Sequence, residues 1–511
     1  MASTFTVSRA QVVYSLCLPL AVLVGYFLAD PTQSGSMAVV VLVVAALAFP
    51  LVMKWYHPLL IFSCNAAFVF SFLPGGPPIW TVAAMLGLFF VVLNRCVDSR
   101  RRLLVGGPVA WSLLALGAVV VLTAISTGGI GLRVLGSATF GGRKYLYVAA
   151  GIAIYFVLAN QQIPLTRAKA FSALYFLSGL TALLSVGLAL AGTRFSQLYY
   201  IIPVDMGVAE RINRSGMMDL SAVRLNGLVG VSSAICLFML SRFGMSGLLD
   251  FGKPWRAVLT GSVLALGMLS GFRSFFAFIL LVFGIAFLLE GLHRTRYLLR
   301  VMAAGMACCI GLVLFSNRLP FTVQRSLSFL PVEISPVAKD DARGSSEWRF
   351  GMWKELLPDV PRYLLKGKGY RIDVTDMMFA RLNTFHEMGS SNDGLAVAGD
   401  YHNGPLSVVI PFGLWGALAF GWFLVAAGRA LYLNFIQGDA TLKLINMTLL
   451  ACFLARAIFF AFLVGGLEGD LAYFAGLVGL SISLNGVPRP RLAYQEVEAV
   501  PRFGARNAMR T

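Results

Sequence analysis

Residues 400–416 read DYHNGPLSVVIPFGLWG and change abruptly from polar to apolar. The polar part holds Asp400, His402 and Asn403, and the apolar part holds Gly413 and Gly416. An apolar run with a polar start is typical of a helix that enters a membrane. The stretch therefore predicts a His-Asn pair at the boundary of a membrane-spanning helix.

The composition of the whole chain shows that such runs are the rule. The 511 residues are 58% hydrophobic and 13% charged, and the mean hydropathy is +0.78. Many runs approach the length that crosses a hydrocarbon core of about 30 Å. We predict an all-α polytopic membrane protein of about 12–14 transmembrane helices. The apolar runs lie near 11–29, 36–53, 58–73, 79–94, 108–125, 145–160, 170–191, 225–241, 257–270, 274–289, 298–316, 405–427, 442–464 and 470–485.

The first run resembles a signal peptide but is longer than the usual apolar region and lacks a clean cleavage site, so we expect an uncleaved span. The net charge of +18 does not favour nucleic-acid binding, because the basic residues sit in short loops between apolar runs. By the positive-inside rule these loops are cytoplasmic, and so are both termini. Their basic residues are Lys54, Arg95, Arg100, Arg101, Arg102, Arg167, Lys169, Arg242, Lys253, Arg256, Arg294, Arg296, Arg300, Arg429 and Lys443.

Two hydrophilic loops then face outward, a shorter one at 192–223 and a long one at 317–403, which we term the cap loop. Within the cap loop, SSEWRFGMWKELLPDV (345–360) predicts an amphipathic helix with a serine N-cap. Its apolar positions are 348, 352, 353, 356 and 357, and a GKGYR turn follows. The cap loop is the one loop large enough for a small folded element.

The sequence contains no pattern of metal ligands or disulfides. Its 7 cysteines include no CxxC pair and none lies in the cap loop, and its 4 histidines are too scattered for a cluster. We therefore predict no metal and no cofactor.

Two arginines at the outer level are candidates for binding a ligand. Arg224 opens a helix in VRLNGLVG, and Arg273 lies in LSGFRSFF, each beside small residues that leave space for a bound group. A charge at mid-membrane costs about 2.5–3.5 kcal/mol on insertion scales, so charges near apolar segments need a reason. Guanidinium groups bind phosphate oxygens bidentately and stay charged, which suits a phosphate-bearing lipid.

Three further basic residues lie within or beside apolar runs. Arg143 and Lys144 begin a helix on the outer side, where they could snorkel to water or assist a site. Arg456 lies inside a helix, and an internal ion pair with Glu468 or Asp470 is the expected arrangement.

His402 lies at the same outer level as the two arginines. A neutral histidine there can accept a proton from a hydroxyl group near neutral pH. Asn403 can cap the following helix, with Pro405 in its first turn. Pro411 is expected to bend that helix, while Gly413 and Gly416 would let another helix approach closely. Asp400 could orient His402, and Arg349 of the cap loop could contact a ligand or face solvent.

These elements together resemble the O-antigen ligase and O-antigen polymerase superfamily. His402-Asn403, nine residues and Gly413-x-x-Gly416 are similar to its His-Asn-x9-Gly-x-x-Gly signature. VRLNGLVG, LSGFRSFFAFIL and SSEWRFGMWKELLPDVPRYLLKGKGY resemble its other blocks, in the same order and topology. Phe272 stands where the family often has a small residue or serine. The match covers roughly residues 220–425.

The resemblance implies a metal-independent, inverting glycosyltransferase with a GT-C-like membrane fold in the bacterial inner membrane, the cap loop being periplasmic. The donor would be a glycan on undecaprenyl diphosphate, and the acceptor either lipid A-core, for a ligase, or another lipid-linked repeat unit, for a polymerase. If the roles of the family's motif residues apply to the matching positions, His402 would be the general base, and Arg224 and Arg273 would bind the diphosphate. Asn403, Asp400, Arg349, Arg143 and Lys144 are the accessory candidates.

We divide the chain into five parts by these features. They are N-terminal helices (1–222), helices with the arginine motifs (223–316), the cap loop (317–403), C-terminal helices (404–486) and a basic cytoplasmic tail (487–511). A rival function is a lipid-linked oligosaccharide flippase, which the helix number also fits, although its intramembrane charge would line a central path. A membrane scaffold would leave the aligned arginines unexplained.

Overall fold

The computed structural model describes residues 34–97, 107–132, 135–137, 139–205, 207–209, 224–328, 332–373 and 399–487, together with 18, 19, 21, 22 and 25. Nine helices in this part are long and apolar enough to cross a membrane, and Trp255–Met268 and Arg273–Leu289 are shorter apolar helices. The chain is an all-α polytopic membrane protein, as predicted. Most of the predicted first span, Arg100–Arg102, residues 210–223 and the tail from 488 onward lie outside the described residues.

The helices are numbered in chain order. The first ten are α1 Ser34–Ser63, α2 Ile79–Val97, α3 Pro108–Thr127, α4 Gly142–Ala159, α5 Leu165–Leu177, α6 Ala182–Ala191, α7 Asn226–Leu248, α8 Trp255–Met268, α9 Arg273–Leu289 and α10 Arg296–Phe315. They are followed by α11 Phe321–Ser326, α12 Pro336–Leu356, α13 Val360–Tyr363, α14 Gly404–Gln437, α15 Lys443–Phe462 and α16 Leu467–Asn485. Two short strands, β1 Thr139–Phe140 and β2 Ile372–Asp373, pair antiparallel and join the α3–α4 connection to the cap loop.

The most extensive helix packing is between α4 and α16. A Cβ atom at Gly479 would lie 3.0 Å from the side chain of Leu158, and one at Gly151 would lie 3.2 Å from that of Leu471. Small residues let membrane helices approach closely, so van der Waals packing along the whole pair becomes possible. The first turns of both helices therefore meet at the same end of the bundle.

That end of the bundle also holds the starts of α7, α9 and α14. The amide of Leu225 donates to the carbonyl of Ser270, 3.0 Å away, which joins the start of α7 to the α8–α9 turn. The amide of Leu467 donates to the hydroxyl of Ser407, 3.0 Å away, which joins α16 to α14. We term this end the site face, because every candidate residue lies near it.

The intramembrane ion pair expected for Arg456 is confirmed, with Asp470 as its partner. The Asp470 side chain is almost fully buried and also accepts a hydrogen bond from the amide of Gly466 at 2.9 Å. The ion pair and the hydrogen bond together satisfy the buried carboxylate, so the Arg456–Asp470 pair has a structural role.

The second and third predicted spans, 36–53 and 58–73, are wrong as separate helices, because α1 runs through the break between them. His57 provides the physical reason. Its side chain is buried, and its Nε2 atom lies 3.2 Å from the carbonyl oxygen of Leu158 on α4, so the polar group is satisfied inside the bundle rather than in a loop. Lys54, expected in a loop, consequently lies within α1.

Residues 64–78, part of the predicted third span, are not helical. They fold back on themselves, with an isolated bridge between Val69 and Pro78. The Pro-Gly-Gly-Pro-Pro run at 74–78 cannot continue a helix, which explains the difference. The orientation of the chain across the membrane, including the side of the N-terminus, stays a prediction.

The amphipathic helix of the cap loop is present but begins earlier than predicted. Helix α12 starts at Pro336, so Ser345 lies in its interior and does not cap it. Proline is favoured in the first turn of a helix, so Pro336 accounts for the earlier start. Met352 and Leu356 are buried as expected, whereas Leu357 is exposed, contrary to the prediction.

Candidate functional site

A buried aspartate fixes the start of α7 and with it Arg224. Asp205 accepts hydrogen bonds from the amides of Gly207 (3.1 Å) and Gly227 (2.7 Å), and so holds the first turn of the helix. The guanidinium carbon of Arg224 lies 5.9 Å from the ring centroid of Phe272, which places the two predicted arginine motifs side by side. Sequence reasoning missed Asp205, although its Asp-x-Gly spacing is a turn signal.

Arg273 connects the bundle to the cap loop. Its guanidinium group donates to the carbonyl of Ala342 at 3.1 Å and to the hydroxyls of Ser328 and Ser346, each at 3.4 Å. Helix α12 therefore lies directly above the start of α9. The predicted ligand-binding arginine also positions the cap helix.

A buried arginine, Arg325 on α11, was not predicted. It forms an ion pair with Asp341 of α12 and donates to the carbonyl of Gly271 at 3.3 Å. Burial is the main cause that lowers its pKa, Asp341 raises it, and the charges of three other arginines lower it further. An arginine in a hydrophilic loop is ordinary in sequence, so no local pattern marked this one.

The three arginines that act on Arg325 are Arg224, Arg273 and Arg349. Arg349 of α12 is half-buried, and burial followed by the charges of Arg224 and Arg273 lowers its pKa. Its Nε atom is buried without a hydrogen-bond partner in the described part of the chain. We term Arg224, Arg273, Arg325 and Arg349 the arginine cluster.

The arginine cluster contains more positive charge than its surroundings neutralise. Asp341 is the carboxylate that pairs with it among the described residues. Like charges at close range destabilise one another, and each guanidinium group offers up to five donors in a planar fork. The arrangement can bind an anion with several oxygens, such as a phosphate or diphosphate group.

His402 lies in the loop that leads into α14 and has a left-handed backbone. Its φ angle is 46°, the one positive φ of a non-glycine residue in the described ranges. The Nδ1 atom lies 3.5 Å from Oδ1 of Asp400, and the ring centroid lies 5.5 Å from that of Trp348. The predicted cap is confirmed, because the Asn403 side chain accepts from the amide of Leu406 at 3.0 Å.

Helix α12 links His402 to the arginine cluster. Trp348 contacts the His402 ring, while the next residue, Arg349, faces Arg224 and Arg273. The indole of Trp353 donates to the carbonyl of Tyr401 at 3.1 Å, which ties the histidine loop to the same helix. The predicted base and the predicted anion-binding residues therefore both contact α12.

Helix α14 is broken at the signature glycine. Gly413 has φ 63° and ψ −160°, and the cap turn docks into the break. The amides of Lys368 and Gly369 donate to the carbonyls of Ile410 (2.8 Å) and Pro411 (2.9 Å). The bend predicted at Pro411 lies two residues later, at Gly413, and the GKGYR turn supplies the partners for the exposed carbonyls.

The predicted role in helix approach is confirmed for Gly413, which the end of the short helix α13 approaches, and is wrong for Gly416. A Cβ atom at Gly413 would lie 2.6 Å from the carbonyl oxygen of Leu364 in the cap loop, not against another transmembrane helix. At Gly416 it would meet Phe412 of the same helix at 2.3 Å. Both glycines serve the break in α14.

Arg143 and Lys144 occupy the first turn of α4, as expected. The ammonium group of Lys144 lies 3.0 Å from Oε1 of Glu468 and donates to the carbonyl of Gly399 at 2.7 Å. Arg143 lies over the ring of Tyr147, 5.4 Å from its centroid. Lys144 thus contacts the histidine loop, whereas Arg143 has no contact with it among the described residues.

No protein-family model matches the chain, and no curated protein matches it in sequence. Within the described ranges, no group of three or more His, Cys, Asp or Glu side chains is placed to hold a metal ion.

Proposed function

We propose that the chain is a membrane glycosyltransferase of the O-antigen ligase type. It would transfer a glycan from undecaprenyl diphosphate to a surface acceptor such as lipid A-core. In this proposal the fold is GT-C-like, and the site face is the periplasmic face of the bacterial inner membrane. Support comes from the sequence resemblance and from the geometry of the site.

The observation that carries the proposal is that the arginine cluster and the His402 loop both contact α12. A diphosphate leaving group needs several fixed cations where negative charge develops. An acceptor hydroxyl needs a base within hydrogen-bond reach. The site offers both functions, from residues that are far apart in the chain.

The residues divide the reaction between them. The arginine cluster binds the diphosphate and stabilises it as the bond to the anomeric carbon breaks. His402 accepts the proton of the acceptor hydroxyl as that oxygen attacks the anomeric carbon. Attack from the face opposite the diphosphate inverts the anomeric centre. Asp400, 3.5 Å from Nδ1, leaves Nε2 as the nitrogen available to the acceptor.

A polymerase that joins lipid-linked repeat units would use the same geometry, with a second lipid-linked glycan as acceptor. A flippase is the alternative from another class. It needs charge along a path through the membrane interior, whereas the Arg456–Asp470 pair is internally satisfied and the cluster lies at the site face. This observation favours an enzyme.

The lipid-linked glycans of a strain that lacks the protein distinguish the three functions. Long undecaprenyl-linked chains should accumulate for a ligase, and single repeat units on the outer leaflet for a polymerase. Repeat units trapped on the inner leaflet would rule out both enzyme functions and indicate a flippase.

Variants of the purified protein test the site directly. We expect His402→Ala and Arg224→Ala to lower transfer at least about a hundredfold, the usual contribution of a general base or an electrostatic contact. Arg343→Ala is the matched control, because Arg343 is an exposed residue of α12 paired with Glu347. Full activity in correctly inserted His402→Ala and Arg224→Ala proteins would contradict the assignment.

A further inference from the structure

The loop from Gly399 to Asn403 is anchored at alternate residues. Gly399 is held through its carbonyl group, Tyr401 is buried and its carbonyl accepts from Trp353, and Asn403 caps α14. Asp400 and His402, between these anchors, remain partly exposed, with 52% and 35% of their side chains accessible. The anchors therefore determine where the Asp400–His402 pair points.

Each anchor comes from a different part of the fold. Trp353, which holds Tyr401, belongs to α12, and Asn403 is the N-cap of α14. Lys144, which holds Gly399, lies in the first turn of α4. The hydrogen bond from the Lys144 ammonium group to the Gly399 carbonyl oxygen, 2.7 Å long, fixes the first residue of the loop.

Lys144 is itself fixed from three directions. Glu468 of α16 lies 3.0 Å from its nitrogen, the Gly399 carbonyl accepts a hydrogen bond from it, and the ring centroid of Tyr370 lies 5.5 Å away. About four-fifths of the side chain is buried, since 19% remains accessible. Ordering a long side chain in this way costs conformational entropy. A lysine exposed on the surface stays mobile and does not carry this cost.

We propose that Lys144 is a positioning residue for His402, acting through the carbonyl oxygen of Gly399, with Glu468 holding the lysine in place. The proposal rests on the glycosyltransferase function described above. It assigns a role in the reaction to the α4–α16 contact, which touches neither the arginine cluster nor His402 directly. The ammonium group fixes Gly399, and the left-handed backbone three residues later directs the imidazole ring toward the acceptor.

The contact has two separable properties, a charge pair and a hydrogen-bond donor. A purely structural role requires the Lys144–Glu468 pair alone, and reversing the two charges would preserve it. Positioning of His402 also requires a donor at Gly399. The double variant Lys144→Glu/Glu468→Lys restores the pair but places a carboxylate, which cannot donate, near that carbonyl.

The experiment measures transfer by purified protein on the total envelope lipid extract of the deletion strain, which supplies donor and acceptor together. For Lys144→Met we expect kcat to fall about tenfold to a hundredfold, as misplacement of a catalytic group by roughly 1 Å does. The KM for the lipid-linked donor should change less than about twofold, because the arginine cluster is untouched. Lys144→Arg should recover most of kcat, and the charge-reversed double variant should not.

Lys169→Met is the matched control, because Lys169 is exposed on α5 away from the site face. Recovery of kcat in the charge-reversed variant, or an unchanged kcat in a stable Lys144→Met protein, would overturn the positioning role while leaving the enzyme function intact. Absence of transfer by the wild-type protein would instead overturn the proposed function. A Lys144→Met protein that fails to fold is replaced by Glu468→Gln, for which a smaller loss of kcat at constant KM is expected.

Discussion

At the scale of single residues, the backbone of His402 is the most informative feature. A left-handed φ of 46° costs an L-residue roughly 1–2 kcal/mol, and such strain concentrates at functional sites. The surrounding anchors at Gly399, Tyr401 and Asn403 impose this conformation. The three anchors thus hold one residue in a strained conformation.

This strain predicts opposite effects on stability and activity. His402→Gly should be more stable than His402→Ala by about 1 kcal/mol, because glycine adopts positive φ without a Cβ clash. Both variants should lose transfer, since neither has an imidazole. Thermal unfolding in one detergent, together with the transfer assay, measures both effects. Equal stability of the glycine and alanine variants would show that the left-handed conformation is not strained.

At the scale of elements, the break in α14 joins the transmembrane bundle to the cap loop. A helix interrupted at Pro411 and Gly413 exposes carbonyl groups that need partners. The backbone of 368–369 supplies them. The signature glycine therefore shapes the surface on which the cap turn docks and, through it, the position of α12.

The break predicts that the glycines of α14 respond differently to alanine. Gly413→Ala should destabilise the protein by about 2 kcal/mol, because its backbone region is essentially restricted to glycine and Leu364 leaves no space for a Cβ atom. Gly421→Ala, in the same helix with nothing within 4 Å of its Cβ position, should be neutral or stabilising by up to about 1 kcal/mol. Thermal unfolding compares the two.

Limited proteolysis supplies the second readout for these two variants. Cleavage within the cap loop should be faster for Gly413→Ala than for the wild-type protein, because the docking surface is lost. Similar stability and similar cleavage of the two alanine variants would contradict a docking role for the break.

At the scale of the whole molecule, the arginine cluster is assembled from α9, α11, α12 and Arg224, which lies two residues before α7. Mutual repulsion of these charges opposes closure of the cap loop on the bundle, and Asp341 offsets only part of it. An anion that bridges the arginines should therefore stabilise the assembled state. Binding to the folded state alone stabilises by about 2.7 kcal/mol at a hundred times the dissociation constant.

Inorganic pyrophosphate is a simple probe of this prediction. It should raise the unfolding temperature of the wild-type protein in a saturable way, and added salt should weaken the effect. Arg349→Met should bind it roughly tenfold more weakly, since a charge-assisted hydrogen bond contributes about 1.5–3 kcal/mol. Arg343→Met, on the exposed side of the same helix, is the control. Equal losses in the two variants would indicate non-specific charge effects rather than a site.

The sequence was sufficient for the features that depend on local composition and spacing. Apolar runs predicted the all-α membrane class, and Asn403 before Gly-Pro predicted the cap of α14, because each depends on a few adjacent residues. The sequence limited the partner of Arg456 to Glu468 or Asp470, since an internal charge in a membrane needs a nearby counter-charge. The sequence did not predict that two apolar runs form the single helix α1, because the contact that buries His57 against α4 is tertiary.

Tertiary structure alone decided which residues meet at the site. The sequence by itself determined that the chain crosses a membrane repeatedly, that Arg273 begins a helix, and that Arg224 and His402 lie within two residues of a helix start. Only the folded chain showed that Arg325 and Arg349 complete the cluster and that Lys144 reaches Gly399, 255 residues away in the chain. The physical reason is that hydropathy and capping act over one or two turns, whereas electrostatic clustering and hydrogen bonding depend on distance in space.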